Sequence, residues 1–301
     1  MWGQQRYIAV DWGTTNRRAW LIDPTHGKLE SYADNQGLLS VPKGGFEVSA
    51  SDLRSRFGDY PMLLAGMVGS DKGWHQVPYK SCPTDLADLA KGIFWMQGGS
   101  IGIVPGVCQI DGNADVMRGE EVQAFGALQL GTVAADGLVC HPGTHSKWVR
   151  LQDGLIAGVQ TMMTGEIFSL LRRDSVLSSQ MQNEPAANHS FDEGVDLALN
   201  GAHLLSSLFQ VRSQYLLSTR ELDGASFASG LLIGSDVRAG LAAGHPRDMI
   251  AIVGNQQLST LYLRAFERAR FRAHIVNDDD AFVAGMQAIV DHLRVVQENA
   301  S

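Results

Sequence analysis

Val10-Asp11-Trp12-Gly13-Thr14-Thr15-Asn16-Arg17 returns later in the chain as Cys140-His141-Pro142-Gly143-Thr144-His145-Ser146-Lys147. Gly-Thr falls on Gly-Thr and Arg17 on Lys147. At the same offset Leu21 meets Leu151 and Asp23 meets Asp153. In the first copy an apolar run, Tyr7 to Val10, enters the turn, and a second, Arg17 to Asp23, leaves it. Two short β-prone runs around a small polar cluster read as a hairpin. The copies lie too far apart for a solenoid repeat. They point to two similar domains descended from a duplication, residues 1–133 and 134–301, with the boundary in Leu130 to Asp136.

Working outward, a third strand follows Gly27, and Met62 to Ala65 and Ile101 to Val104 are further strands. Residues 67–82, rich in Gly, Ser, Trp, Pro and Tyr, read as an ordered surface loop. Val116, Val122, Phe125 and Leu128 recur at helical spacing, which predicts a helix from Val116 to Leu130. After the second hairpin comes a strand, Leu155 to Met162, and a helix from Thr164-Gly165-Glu166. Helical tracts cover 192–211 and 222–243, Met249 to Val253 is a buried strand, and Gln256 to Arg270 a helix. A short strand, His274 to Val276, precedes a closing helix, Asp278 to Val296. Hairpins followed by strand–helix alternation give an α/β chain with mixed sheets flanked by helices.

Composition narrows the function. In 301 residues, 45% hydrophobic and 19% charged, there is enough apolar material for two cores. The formal net charge is −8 and no basic patch is evident, which argues against a nucleic-acid partner. No apolar run reaches the length that spans a membrane, and no charged-then-apolar leader opens the chain. Cys82, Cys108 and Cys140 lie far apart, with no CxxC pair, as reduced thiols of a cytoplasmic protein would. Asn188-His189-Ser190 matches a glycosylation sequon only by chance on that reading.

The Gly-Thr turns carry the chemistry. A tight glycine turn lets backbone N–H groups approach phosphate oxygens, and hydroxyls add donors. Gly13, Thr14 and Thr15 would form one jaw of a cleft. Gly143, Thr144, His145 and Ser146 would form the other, with Lys147 or Arg17 supplying positive charge. Asp11, at the end of the first strand, can hold Mg²⁺ through water. Asp115 and Asp111 both precede the predicted helix. Either could act as general base or simply cap the chain, and the residues alone do not choose between them. Gly254, after a buried strand, would let a flat ring such as adenine approach the backbone. Asn277-Asp278-Asp279-Asp280 reads as a helix cap with first-turn carboxylates. Neither a GxxxxGK[ST] loop nor a GxGxxG fingerprint is present. Gly98-Gly99-Ser100-Ile101-Gly102 matches a nucleophile elbow, but Pro105 and Gly106 follow where that motif needs a helix.

These motifs resemble the superfamily of actin, hexokinase and Hsp70. More closely, "VDWGTTNRRAWLID", "GMVGSDKGWHQVPY", "DVMRGEEVQAFGAL", "HPGTHSKWVRL", "TMMTGEIFSLL", "FASGLLIGSDVRAGL" and "IVGNQQLSTLYLRAF" resemble the 2-dehydro-3-deoxygalactonokinase family, from residue 10 to 266. The resemblance implies two ribonuclease-H-like domains of the actin/hexokinase type with an interdomain cleft. It implies transfer of phosphate from ATP, with Mg²⁺, to the terminal 6-hydroxyl of 2-dehydro-3-deoxy-D-galactonate in galactonate catabolism. The first domain would be the substrate side and the second would hold adenosine at Gly254. Asp115 becomes the base and Asp11 the metal ligand. The loop holding Gly66, Met67, Lys72, Trp74 and Tyr79 would shape the sugar-acid site, with Arg18 and Lys72 as candidates for its carboxylate. His141 stands where the second phosphate motif often carries an acid. A kinase for the gluconate-derived epimer, or an ATPase switch that transfers to nothing, is the alternative. Self-association into a homo-oligomer is left open.

Overall fold

The computed structural model describes residues 5–218, 221–244 and 249–298. The chain runs β1 (Tyr7–Trp12), β2 (Arg17–Asp23), β3 (Gly27–Asp34), α1 (Phe46–Phe57), β4 (Met62–Gly66), β5 (Lys80–Ser81), α2 (Leu86–Lys91), β6 (Phe94–Met96) and β7 (Ile101–Ile103). Then come β8 (Val107–Gln109), β9 (Asp115–Met117), α3 (Glu120–Gln129), β10 (Leu138–His141), β11 (Ser146–Gln152), β12 (Leu155–Met162), α4 (Thr164–Asp174) and α5 (His189–Leu199). Last are α6 (Leu204–Leu208), α7 (Gln210–Leu217), α8 (Gly224–Gly244), β13 (Ile250–Val253), α9 (Gln256–Arg268), β14 (Ala273–Val276) and α10 (Asp278–Glu298). Two compact units result. The first takes the chain up to Ala135, Gln152–Val159 and the segment from Asp278 onward; the second takes Asp136–Leu151 and Gln160–Asn277. The closing helix α10 therefore belongs with the first half of the sequence.

The first unit's main sheet has the order β3-β2-β1-β4-β7-β6. Strands β1, β2 and β3 form an antiparallel meander, and β4 and β7 add in parallel. Ile8, Val10 and Trp12 of β1 pack with Met62, Leu64, Ile101 and the α1 residues Phe46 and Leu53. From β2, Trp20 meets Phe282 of α10 at 5.0 Å. Central strands of such a sheet are covered on both faces, which is why Tyr7 to Val10 reads as a continuous apolar run.

The second unit's sheet has the order β12-β11-β10-β13-β14, with β10–β11 antiparallel and β10, β13 and β14 parallel. From one edge the second sheet runs 3-2-1-4-5 in its own strand numbering and the first runs 3-2-1-4-6-5, so the two share a 3-2-1-4 core and the first carries β6 as an extra antiparallel edge strand. This is the ribonuclease-H-like arrangement of actin and hexokinase, and the Gly-Thr repeat is its sequence trace. Cys140, Trp148, Ile250 and Ile252 pack with Phe191, Val195, Ile233, Tyr262 and Phe266 of the covering helices. Among the described residues no helix is long and apolar enough to cross a membrane.

Two expectations shift. Asp115 to Met117 is not helical. It pairs antiparallel with β8, and the helix begins only at Glu120 after Gly119, whose φ of 105° breaks the chain direction. The single tract expected over 192–211 is three helices. Asn200 caps α5, and Gly201 follows at φ 83° in the left-handed conformation that ends helices.

Candidate active site

In the first unit, Gly13 donates to the Asn16 carbonyl at 3.0 Å and closes the turn between β1 and β2. The carbonyls of Gly13, Thr14 and Thr15 accept from the N–H groups of Leu38, Leu39 and Gly37 at 2.9, 3.0 and 3.1 Å. The turn's acceptors are thus consumed by its support. Thr14 and Thr15 themselves are exposed.

Asp11 lies opposite Arg18 across the hairpin. Arg18 donates to Asp11 Oδ2 at 2.7 Å, Asp278 Oδ2 at 2.5 Å and Asp279 Oδ1 at 2.8 Å. These carboxylates hold the Arg18 guanidinium well above its ordinary pKa against the opposing effect of its burial. Arg18 thus anchors Asp11 and the start of α10. Arg17 is likewise committed, to Asp34 at 2.6 Å and Ser49 at 2.8 Å. Both arginines are engaged by carboxylates of the same unit.

Gly66 ends β4 at φ 93°, and a Cβ there would sit 2.8 Å from the Trp12 carbonyl and 3.3 Å from Asp11 Oδ1. A Cβ on Gly119 would lie 3.2 Å from Gly66 Cα. Two glycines therefore bring the N-terminal turn of α3 towards Asp11. That turn begins with Glu120, whose Oε2 accepts from the Arg118 N–H at 3.0 Å, and Glu121, fully buried, whose two oxygens accept from the Gly119 N–H at 2.9 and 2.8 Å. Burial, reinforced by the Glu120 charge, pushes the Glu121 carboxyl up to about 8. Asp115 sits on β9, and its carboxylate accepts from the Val116 N–H at 2.7 Å, so it caps no helix.

A cavity of about 610 Å³ in this unit is lined by Lys43, Glu47, Lys72, Trp74, Phe46 and Leu38, among others. Lys72 and Trp74 come from the loop singled out in the sequence, and Lys43 from a turn before α1. Of the other substrate candidates, Met67 packs on the core, and Tyr79 lies over the Arg118 guanidinium at 4.3 Å.

In the second unit the turn at Gly143 is braced by the start of α4. The Glu166 N–H donates to the Thr144 carbonyl at 2.9 Å, and a Cβ on Gly165 would meet the Gly143 carbonyl at 2.4 Å. His145 Nε2 pairs with Glu166 Oε2 at 2.6 Å, with both side chains partly exposed. Ser146 departs from expectation. It is fully buried, and its hydroxyl bonds the Tyr262 hydroxyl at 2.6 Å rather than standing free. Behind it lies Asp236 of α8, 3% exposed, which accepts from Trp148 Nε1 at 2.6 Å and from the Thr164 and Tyr262 hydroxyls at 2.5 Å each. Burial raises the Asp236 pKa despite these donors. One buried carboxylate therefore ties together the second turn, α4 and α9. Lys147 is also buried, and its ammonium donates to Thr161 at 2.8 Å.

A second cavity, about 190 Å³, opens beside this turn. Gly143, Gly165, Phe168, Leu232, Asn255 and Leu258 are among the residues that line it. Gly254 lies where a Cβ would be 3.2 Å from the Pro142 carbonyl, and the next residue, Asn255, caps α9 through Gln257 at 2.9 Å. A mostly apolar slot next to a glycine-rich turn suits a flat base with phosphates at one end. Among the described residues, no three His, Cys, Asp or Glu side chains are grouped to hold a metal ion.

Asp236 and Lys43 escaped the sequence reading. Asp236 did leave a signal, as the lone acid in the apolar stretch "FASGLLIGSDVRAGL". Lys43 left none, because its cavity is built by segments distant in sequence.

Comparison with known proteins agrees with this architecture. The family profile described as 2-keto-3-deoxy-galactonokinase matches residues 11–289. The chain is 36% identical over 290 residues to 2-dehydro-3-deoxygalactonokinase of Escherichia coli (strain K12), covering 94% of this chain and 97% of that one. A solved structure from Sinorhizobium meliloti, provisionally assigned as a 2-dehydro-3-deoxygalactonokinase, is 34% identical with a TM-score of 0.87, over 96% of this chain and 99% of that one. The activator of the 2-hydroxyisocaproyl-CoA dehydratase from Clostridium difficile is only 10% identical. It shares the fold at a TM-score of 0.53 over 98% of each chain.

Proposed function

The chain belongs to the 2-keto-3-deoxy-galactonokinase family, and from that premise we propose that it transfers the γ-phosphoryl group of ATP to the terminal 6-hydroxyl of 2-dehydro-3-deoxy-D-galactonate. The observation that carries this reading is the family match from Asp11 to Ile289, which takes in both Gly-Thr turns and both cavities.

The second unit is the nucleotide side. The slot beside Asn255 and Gly254 takes the base, and the turn Gly143, Thr144, His145 presents backbone N–H groups and a hydroxyl to phosphates. Ser146 and Lys147 support that turn from within. The first unit is the sugar-acid side. Its cavity takes the substrate, and Gly13, Thr14 and Thr15 offer donors near where charge develops. Asp11 is the carboxylate suited to the Mg²⁺ that accompanies ATP. A single carboxylate fits an ion that keeps several waters and takes phosphate oxygens as its other ligands. That ion, when bound, offsets phosphate charge. Asp115 is the proposed base, receiving the proton of the attacking hydroxyl. Glu120 is its competitor, because the glycine contacts carry the start of α3 towards Asp11. The three free cysteines suit a reducing compartment such as the cytoplasm.

The test is ADP release with Mg²⁺-ATP, with and without 2-dehydro-3-deoxygalactonate or its glucose-derived epimer. Strong stimulation by the galactonate derivative supports the reading, and steady ADP release indifferent to either compound defeats it. Asp115→Asn and Glu120→Gln in the same assay assign the base. The true base loses transfer by at least about a hundredfold while ATP binding persists.

A further inference from the structure

The substrate is an anion, and the chain that must bind it carries a formal net charge of −8. A carboxylate next to a ketone stays ionised at neutral pH, so some cation has to meet it. Most cations near the first turn are engaged. Arg17 holds Asp34, Arg18 holds Asp11, Asp278 and Asp279, and Lys28 holds Asp280 at 3.1 Å. Lys43 and Lys72 differ. Neither takes part in a hydrogen bond or ion pair among the described residues, and both line the same cavity of about 610 Å³.

Both lysines stand on braced turns. Before α1, the Gly45 N–H donates to the Pro42 carbonyl at 2.8 Å. Around Lys72, Gly73 donates to Ser70 at 3.0 Å, Trp74 to Val68 at 2.8 Å and Val77 to Gly69 at 3.0 Å. The cavity also adjoins the first Gly-Thr turn, because Leu38 in its wall donates to the Gly13 carbonyl at 2.9 Å. The lining also includes an apolar face. Trp74 stacks on Phe46 with centroids 6.0 Å apart and planes 10° off parallel, and Phe46 meets Trp12 at 5.6 Å.

We propose that Lys43 and Lys72 together receive the C1 carboxylate of the sugar acid, with its deoxygenated C3 against Trp74. This rests on the sugar-acid kinase reading above and names the residues that make the enzyme select an acid over a neutral sugar. Glu47, the anion in the lining, accepts from substrate hydroxyls and leaves the pair the net positive charge. Charge-assisted contacts to a carboxylate in a partly enclosed site are stronger than exposed surface pairs.

Lys43→Gln, Lys72→Gln and the double variant test it, by steady-state kinetics with saturating Mg²⁺-ATP. Each is assayed with 2-dehydro-3-deoxygalactonate and with its neutral C1 carboxamide. Each single change should raise KM for the acid about tenfold, ~1.4 kcal/mol, and the double change further. KM for ATP and kcat at saturating acid should move less than about twofold, because the contact is to a part of the substrate that does not react. The carboxamide should bind the wild type as weakly as the acid binds the double variant, and should not respond to the substitutions. Both positions are exposed, so thermal unfolding should match the wild type. An unchanged KM for the acid overturns the proposal, as does equal loss for acid and carboxamide. A rise confined to KM for ATP overturns it too, by assigning the lysines to nucleotide phosphates. If the wild type releases no ADP in response to the acid, the functional reading itself fails and the proposal falls with it.

Discussion

Glu121 shows how a residue can shape the site without facing it. It is fully buried at the head of α3, and both oxygens hold the N–H of Gly119, the glycine packed on Gly66 beside Asp11. Burial raises its carboxyl to about 8, with the Glu120 charge adding and the Gly119 bond opposing. In the unfolded chain the same group loses its proton in the ordinary carboxylate range. Between that range and about 8 the folded protein binds more protons than the unfolded one, so this group's contribution to stability falls as pH rises through the window. Glu121→Gln keeps an acceptor for Gly119 and removes the titration. In urea unfolding, the variant should gain stability relative to the wild type from pH 5 to pH 8.5. A wild-type-minus-variant difference that stays flat across that range would show that Glu121 is ionised when folded. Asp236 plays the matching part in the second unit, where a buried carboxylate gathers Trp148, Thr164 and Tyr262 behind the turn at Gly143.

At the level of elements, glycine decides how closely the covering helices pack. In the first unit α3 crosses α10, and a Cβ on Gly126 would fall 1.7 Å from the Ala281 carbonyl. In the second, α5 crosses α8, and a Cβ on Gly230 would fall 2.1 Å from the Phe191 carbonyl, with Gly194 facing back at 2.3 Å from Phe227. No real Cβ tolerates such distances, so alanine forces the helices apart. Alanine also improves helix propensity by about 0.8–1.0 kcal/mol, but overpacking costs about 1–3 kcal/mol and wins. Gly126→Ala and Gly230→Ala should each lower stability by roughly 2 kcal/mol in urea unfolding, and a gain in either would refute the close packing. These contacts explain which elements were legible in the sequence. The hairpins were, because strand, Gly-Thr turn and strand are adjacent in the chain and occur twice, whereas the strand order was not, because it is set by parallel pairings between strands distant in sequence. The start of α3 was not, since helical spacing from Val116 onward was overridden by the pairing of β9 with β8. Ser146 was grouped with the turn residues Gly143 to His145 because it follows them directly, yet a partner from α9 buries its hydroxyl. The ion pairs of Arg18 were not legible, because two of the acids that engage it, Asp278 and Asp279, lie at the far end of the sequence.

On the scale of the whole molecule, the two units share a 3-2-1-4 strand core but differ in what they offer a ligand. The second presents a mostly apolar slot of about 190 Å³, and the first a wider cavity of about 610 Å³ with two lysines. A shared origin alone predicts equivalent sites, whereas these linings predict that the ligands divide between the units. Hydrogen exchange can read that division for each ligand separately. A ligand at a hundred times its Kd stabilises what it binds by about 2.7 kcal/mol, so amides that exchange only through openings that release it should slow by about a hundredfold. Mg²⁺-ADP should protect the turn at 143–147, the start of α4 and the Asn255 end of α9, and leave 38–47 and 66–79 near their free rates. The sugar acid should protect 38–47 and 66–79 and leave α9 unchanged. Protection of 66–79 by nucleotide alone would reverse the assignment of the cavities, because the loop that carries Lys72 and Trp74 would then be answering to phosphates. Separate protection by the two ligands would mean that duplication kept the scaffold while the linings diverged, one towards a flat base and the other towards an anionic, partly deoxygenated chain.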